Sequence, residues 1–186
     1  KLLARFEKRA RNSATRAFRS GLTFGEDDSL SSLDDLFLLH VENMRSVGGV
    51  AKPAEFPSAV KDIFEPGKDY KVFTARAGSE IVAGLLVFYF KEWVEYFMPA
   101  TRLDYRVEQP MSGLVVLAME DAIRRGFRKW NWGGTWLTQH GVYRFKQGFG
   151  ATERPYRYFT QLSDPSFGQD SRIMQLRNDY PYFYIA

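Results

Sequence analysis

The fold is decided by the segment Glu80-Ile-Val-Ala-Gly-Leu-Leu-Val-Phe-Tyr-Phe90, a nearly continuous apolar run. A strand that is apolar on both faces is typical of the interior of a sheet, where other elements cover it on both sides. The run is also far too short to cross a bilayer as a helix. We therefore predict an interior β-strand over residues 81–90 and no transmembrane segment here.

The segments on either side of this run indicate two neighbouring strands. Polar and apolar residues alternate from Tyr70 to Ala77, which is typical of a half-buried strand, and Gly78-Ser79 then forms a turn. On the other side, Lys91-Glu92 makes the next turn and Trp93 to Met98 continues as a third strand. The three strands are therefore predicted to form an antiparallel meander.

Helical periodicity marks the regions outside the meander. Residues 1–20 are rich in alanine and arginine and end at Gly21, while Ser31 or Ser32 is placed to cap the next helix, which ends at Gly48-Gly49. Further helices are predicted at 55–64, from Met111 to Ile123 and near Gly141, with short strands at 22–24, 127–132 and 156–162. We predict one mixed α/β domain over residues 1–186, with a mainly antiparallel, twisted central sheet flanked by helices.

Composition excludes several classes of site. The chain has 186 residues, a formal charge of +4, 16 Phe, 10 Tyr and no cysteine. It therefore has no disulfide, thiolate metal site or cysteine nucleophile, and its two histidines, His40 and His140, are too far apart to suggest a metal site. The charge is compatible with an anionic substrate or RNA. No signal peptide is visible. We expect a cytoplasmic protein that can work at the inner face of the membrane.

The segment Gly141-Val-Tyr-Arg-Phe-Lys-Gln-Gly-Phe-Gly-Ala151 carries the clearest chemical signal. It places a lysine between aromatic residues, about ten residues after Asn131-Trp-Gly-Gly-Thr135. One cation beside a backbone-rich, aromatic-walled corner can hold an acyl carbonyl and stabilise the oxyanion that the carbonyl becomes. The alternative is structural: the aromatic residues belong to the core of a short amphipathic helix, and Lys146 is solvated.

This segment resembles the C-terminal part of the FemABX-type peptidyl- and aminoacyl-transferases, which are built on the GNAT acyltransferase fold. The similarity lies in Tyr143-Arg-Phe-Lys-x-Gly-Phe-Gly-Ala, preceded by a strand that ends Gly-Gly-Thr. Three further segments follow the family's order: Arg9 to Gly21, Met44 to Gly49, and Met98 to Pro110. Since FemABX proteins pair two GNAT-like units, we expect this chain to be the C-terminal half of a longer protein, with an N-terminal GNAT-like half as its partner.

The resemblance implies roles for individual residues. It assigns Lys146 to oxyanion stabilisation, with Phe145 as its aromatic neighbour. Tyr143 is, from its residue type, a candidate to donate a hydrogen bond to the acceptor or the donor, or to a structural partner. The family is thought to use the substrate itself for proton transfer, so Asp104, Glu95 and His140 are only alternative bases. No metal is expected. The expected substrate contacts are Arg102, Tyr105, Arg106, Arg144, Asn131, Gly134 and Thr135.

The acyl donor is left open between two co-substrates, and no tightly bound cofactor is expected. GNAT enzymes usually hold the pyrophosphate of acyl-CoA on a glycine-rich loop, whereas residues 101–110 contain no glycine. This departure favours aminoacyl-tRNA. Arg102 and Arg106 either contact phosphate or form salt bridges with Asp104 or Glu108. A basic stripe, either RNA-binding or merely solvated, is formed by Arg5, Arg9, Asn12, Arg16 and Arg19.

Three functions follow from these observations. The first is a FemABX-type N-acyltransferase that moves an aminoacyl or acyl group to an amine of a UDP- or lipid-linked cell-envelope precursor, of peptidoglycan or polysaccharide, with tRNA as a partner. The second is an acyl-CoA-dependent GNAT N-acetyltransferase that acts on an amino sugar. The third is a non-catalytic GNAT-like half that binds substrate in a tandem protein.

Overall fold

The structure is a computed structural model that describes residues 2–27, 29–135, 138–155 and 174. The chain divides into two compact units, residues 1–151 and 152–186, and every element named below belongs to the first. The strand expected at 156–162 lies outside the described residues.

A five-stranded sheet forms the centre of the first unit, with its strands in chain order across the sheet. Adjacent strands from β1 to β4 are antiparallel to one another, and β5 is parallel to β4. The interior position predicted for residues 81–90 is confirmed, because β3 lies between β2 and β4. The strands are β1 (Thr23–Glu26), β2 (Tyr70–Ala77), β3 (Glu80–Phe90), β4 (Trp93–Thr101) and β5 (Lys129–Asn131).

Five α-helices and two short 3-10 helices surround the sheet in the part of the chain that the structure describes. The 3-10 helices span Leu3–Arg5 and Leu103–Glu108. No helix of the described residues is long and apolar enough to cross a membrane. The α-helices are α1 (Lys8–Phe18), α2 (Leu30–Ser46), α3 (Phe56–Ile63), α4 (Pro110–Arg124) and α5 (His140–Gly148).

Two local predictions about the helices were wrong. The N-terminal helix over 1–20 is broken, because extended backbone at Phe6 and Glu7 separates the first 3-10 helix from α1. Arg5 therefore does not share a helix with the other basic residues of the predicted stripe. Ser29, rather than Ser31 or Ser32, is at the N-cap position of α2. Its hydroxyl makes no hydrogen bond to the first turn of the helix and donates to Asp27 Oδ1 at 2.6 Å.

The sheet separates two apolar cores. One core lies beneath α1 and α4 and includes Leu85 of β3, and the other lies beneath α2 and α3 and includes Leu86. Consecutive residues of a strand point to opposite faces, so β3 contributes to both cores and must be apolar throughout. The packing is close: a Cβ on Gly84 would lie 2.7 Å from Leu36 Cδ1. The predicted α/β class, with helices flanking the sheet, is confirmed.

Candidate active site

A cleft opens where β4 and β5 separate. β5 pairs only with Trp93, Val94 and Glu95, the first residues of β4. The register of β4 against β3 then shifts at a β-bulge, because Tyr96 pairs with Val87 whereas Met98 pairs with Leu86, which leaves Phe97 as the extra residue. Beyond the bulge, β4 continues to Thr101 without β5 beside it.

The cleft has a volume of about 430 Å³, and residues of several elements line it. One wall is the edge of β4 that no strand of the described residues covers, another is the first turn of α4, and a further wall is the start of α5. The N-terminus of a helix offers unpaired backbone N–H groups to anionic or carbonyl oxygen atoms, and Arg106 adds a cation on the same side. The main lining residues are Tyr96, Pro99, Thr101, Arg106, Ser112 and Phe145.

Lys146 lies on α5 next to Phe145, and its side chain turns into the protein. The residue is only 8% exposed. Its Nζ donates to Gly134 O at 2.9 Å and to Thr135 Oγ1 at 2.8 Å, with a longer contact of 3.4 Å to Gly133 O. Burial lowers the pKa of Lys146, and the nearby Glu95 carboxylate partly raises it again. The ammonium therefore holds the loop after β5 against α5.

A carboxylate lies on the other side of this loop. Glu95 Oε2 accepts a hydrogen bond from Asn131 Nδ2 at 2.5 Å, and Asn131 Oδ1 accepts from the backbone N–H of Gly133 at 3.0 Å. Gly133 has a φ of 65°, a conformation that disfavours side chains. Burial raises the pKa of Glu95, while Asn131 and Lys146 lower it in part. Glu95 and Lys146 thus form a carboxylate and a cation on either side of one turn.

The structure brings together most of the residues that the sequence analysis selected near this loop. Asn131, Gly134, Thr135 and Lys146 are joined through the contacts above, while Phe145 and Arg106 line the cleft. On α5, Tyr143 is 39% exposed, and Arg144 is exposed as well.

Arg102 and Tyr105 lie apart from the cleft lining. The Arg102 guanidinium pairs with Glu80 and with Asp104, at 2.6 Å from Asp104 Oδ2, and its centre lies 5.4 Å from the Tyr105 ring. The hydrogen bond from the Arg102 guanidinium and its charge hold the pKa of Asp104 below its usual range. Of the two predictions for Arg102, the structure therefore shows the salt bridge with Asp104.

Several residues of the cleft were not selected from the sequence. Asn43 and Gln109 line it, and Asn43 Nδ2 donates to Thr101 O at 2.8 Å, which ties α2 to the end of β4. Gln109 takes a left-handed conformation, φ 60° and ψ 38°, directly before Pro110. The Gln-Pro pair indicates only that the helix does not extend back through Gln109, because the helical region is disfavoured for a residue before proline. Nothing in the local pattern around Asn43 indicated its role.

Comparison with known families identifies the domain. Residues 4–147 match the family described as the acetyltransferase (GNAT) domain. The chain belongs to this family. It is therefore an acyltransferase domain, and the fold inferred from the FemABX resemblance is correct. No curated protein sequence matches the chain.

Solved structures show the same GNAT fold at low sequence identity. FemX is similar at a TM-score of 0.72 and 14% identity over 80% of this chain, which spans 55% of the FemX chain. The aminoglycoside acetyltransferase AAC(6')-Iy, in complex with a CoA-linked bisubstrate analog, is similar at 0.59 and 14% identity over 76% of this chain and 99% of its own. The aminoglycoside 6'-N-acetyltransferase AAC(6')-Ih from Acinetobacter baumannii is similar at a TM-score of 0.59 and 14% identity. The match covers 77% of this chain and 100% of that protein.

Proposed function

We propose that this GNAT domain is an N-acyltransferase of FemABX type, which transfers an aminoacyl or acyl group to an amine of a cell-envelope precursor. The proposal is carried by the cleft beside β4, which Phe145 lines, and by the neighbouring Lys146, which is buried and lies with partly buried Glu95 at the loop after β5. The higher TM-score with FemX, 0.72 against 0.59 for AAC(6')-Iy, supports the Fem branch. The precursor would be UDP- or lipid-linked, so the protein would work in the cytoplasm or at the inner face of the membrane.

The reaction needs an amine without its proton and a stabilised oxyanion. The amine nitrogen attacks the acyl carbonyl, the bond from that carbon to the donor oxygen or sulfur breaks, and the amine proton passes to the leaving group through a base. Glu95 fits the base, because its raised pKa improves proton uptake near neutral pH and Asn131 fixes only one of its oxygens. His140 is exposed and Asp104 is ion-paired, so neither is as well placed.

Lys146 is the candidate for oxyanion stabilisation. Its two shorter contacts, to Gly134 O and Thr135 Oγ1, use two of the three ammonium protons. The third proton meets Gly133 O at 3.4 Å, which is too long for a strong hydrogen bond and is therefore the one available for an oxyanion. A preorganised donor in a largely dry site is worth far more to a developing charge than one in water.

Aminoacyl-tRNA is the proposed donor. In place of a glycine-rich pyrophosphate loop, the structure has the 3-10 helix Leu103–Glu108, which contains no glycine. Arg16 and Arg19 are exposed at the C-terminal end of α1, where they can contact phosphates. The partners would then be tRNA and the other half of a tandem protein.

Acyl-CoA is the second candidate donor, with an amino sugar as the acceptor. The N-terminus of α4 opens onto the cleft, and a helix N-terminus is a suitable site for a pyrophosphate. The similarity to aminoglycoside acetyltransferases, one of them holding a CoA-linked analog, supports this option.

A paired binding and transfer experiment tests these proposals. Calorimetry with acetyl-CoA and with aminoacyl-tRNA, each at several salt concentrations, should show RNA binding that weakens steeply with salt. The variant Arg16→Glu/Arg19→Glu should weaken RNA binding and flatten the salt slope, whereas Arg45→Glu/Arg128→Glu, with the same change in charge, should not. Micromolar binding of acetyl-CoA, with no salt-sensitive RNA binding, would favour the second donor. Donor and acceptor binding without any transfer detected by mass spectrometry would leave only a substrate-binding half.

A further inference from the structure

An aromatic box, formed by Phe56, Phe88 and Phe97, lies on the face of the sheet that α2 and α3 cover. The rings of Phe56 and Phe97 stack at 5.8 Å with an interplanar angle of 12°. Phe88 meets Phe97 edge-on at 5.0 Å, and Phe37 stacks on Phe56 at 6.5 Å. Phe97 is the extra residue of the β-bulge and follows Tyr96, which lines the cleft. It is 36% exposed, so the box is open on one side.

The ammonium of Lys52 occupies this box. Its Nζ lies 4.4 Å from the centroid of Phe97 and 5.3 Å from that of Phe56. No carboxylate of the described residues forms an ion pair with it, and burial lowers the pKa of Lys52. The charge is therefore held by the faces of aromatic rings, which attract ammonium groups through their quadrupoles.

Little else holds Lys52 in this place. It lies in the segment between α2 and α3, where residues 47–50 and 53–55 are exposed. Its backbone N–H donates a long hydrogen bond of 3.4 Å to Nε2 of buried His40. Burial and the charge of Lys52 lower the pKa of His40, so the imidazole is neutral and accepts this bond. The side chain can therefore leave the box without breaking an ion pair.

The box is on the same face of β4 as the candidate base. Phe88 of β3 pairs directly with Glu95, and its ring contacts Phe97. Residues directly opposite one another on an antiparallel pair point to the same face. The ammonium of Lys52 in the box forms no ion pair with Glu95, so a cation held there must leave the rings before it meets that carboxylate.

We propose that the box formed by Phe56, Phe88 and Phe97 is the subsite that receives the protonated amine of the acceptor, and that Lys52 fills it until the acceptor displaces it. This rests on the proposed function, because it supplies the acceptor site of the same transfer. The ligand class is an alkylammonium group, selected by charge and by contact with ring faces. The acceptor amine enters as a cation and gives its proton to Glu95 as it moves toward the acyl carbonyl.

Binding of choline measures the box without any acyl transfer. Calorimetry and aromatic NMR shifts would compare choline with 3,3-dimethyl-1-butanol, its uncharged analogue of nearly the same shape. Lys52→Ala vacates the box and should bind choline at least tenfold more tightly than the unmodified protein, with a clear preference over the alcohol. Lys91→Ala is the matched control, because Lys91 also lies over a ring, Phe90, at 5.2 Å, but outside the box. It should change nothing.

Two outcomes would overturn the subsite: choline binding unaffected by Lys52→Ala, or equal binding of choline and the alcohol. Adding Phe97→Leu to Lys52→Ala removes one ring and should abolish the gained affinity, and thermal melting checks that this variant is folded. In transfer assays, Phe97→Leu should raise the KM for the acceptor about tenfold and leave kcat nearly unchanged. If no donor supports transfer while Lys52→Ala still binds choline, the proposed function fails and the cation site stands.

Discussion

Replacement of Lys146 by methionine separates a catalytic role from a structural one. The variant keeps the length and apolar stem of the side chain but loses the contacts at 2.9 Å to Gly134 O and 2.8 Å to Thr135 Oγ1. A hydrogen bond to a charged group contributes about 1.5–3 kcal/mol to stability. Gly134 is exposed, so water can replace the donor there, and the methionine is spared the desolvation of a buried ammonium. We expect a net loss of only about 1 kcal/mol.

Turnover should respond much more strongly than stability. Loss of one oxyanion donor lowers kcat by about 10²- to 10³-fold, or roughly 3–4 kcal/mol of transition-state stabilisation. Urea unfolding would give the change in stability, and a transfer assay at saturating donor and acceptor would give kcat. Thr135→Val is the matched control, because it removes one partner of the ammonium and retains the charge, so kcat should fall by less than tenfold. Near-normal turnover of Lys146→Met would refute the assignment.

Three further predictions concern folding. Gly84→Val should destabilise the protein by about 1–3 kcal/mol in urea, because its Cβ meets Leu36 at 2.7 Å, whereas Gly25→Val has open space around it and should be nearly neutral; equal effects would contradict the packing. Asp121→Asn should lower the free energy of unfolding by about 2–4 kcal/mol in urea. Buried Asp121 accepts hydrogen bonds from the Tyr89 hydroxyl at 2.9 Å and from the Lys71 ammonium at 3.2 Å. A loss of stability below about 1 kcal/mol would exclude a stabilising network. The pKa of His40 is lowered in the folded state, so below a pH of about 6.5 the unfolded chain binds more protons and the stability should fall. His40→Gln should remove that part of the pH dependence of stability. An unchanged pH profile in this variant would reject the role of His40.

The sequence determined the architecture because its signals were local and repeated. The apolar run at 81–90 required cover on both faces, and β3 contributes Leu85 to one core and Leu86 to the other. Turn residues at Gly78 and Lys91 set the meander, and both take positive φ angles. The resemblance carried by residues 143–151 led to the family that the match over residues 4–147 shows. The start of α2 was not predicted correctly, because the Ser29 hydroxyl bonds to Asp27 rather than to the helix and no side chain caps the first turn.

The geometry of the site depended on tertiary structure. The cleft exists because β5 pairs with only the first three residues of β4 and because a bulge at Phe97 shifts the register, and both result from pairing between segments distant in sequence. The partners of Lys146 lie 11 to 13 residues away and meet it only when the loop after β5 folds onto α5. Lys52 gave no signal in the sequence, since its aromatic partners come from α3 and from β4. Local pattern specifies which face of an element is buried, whereas the position of a charge is set by the three-dimensional surroundings that replace its water.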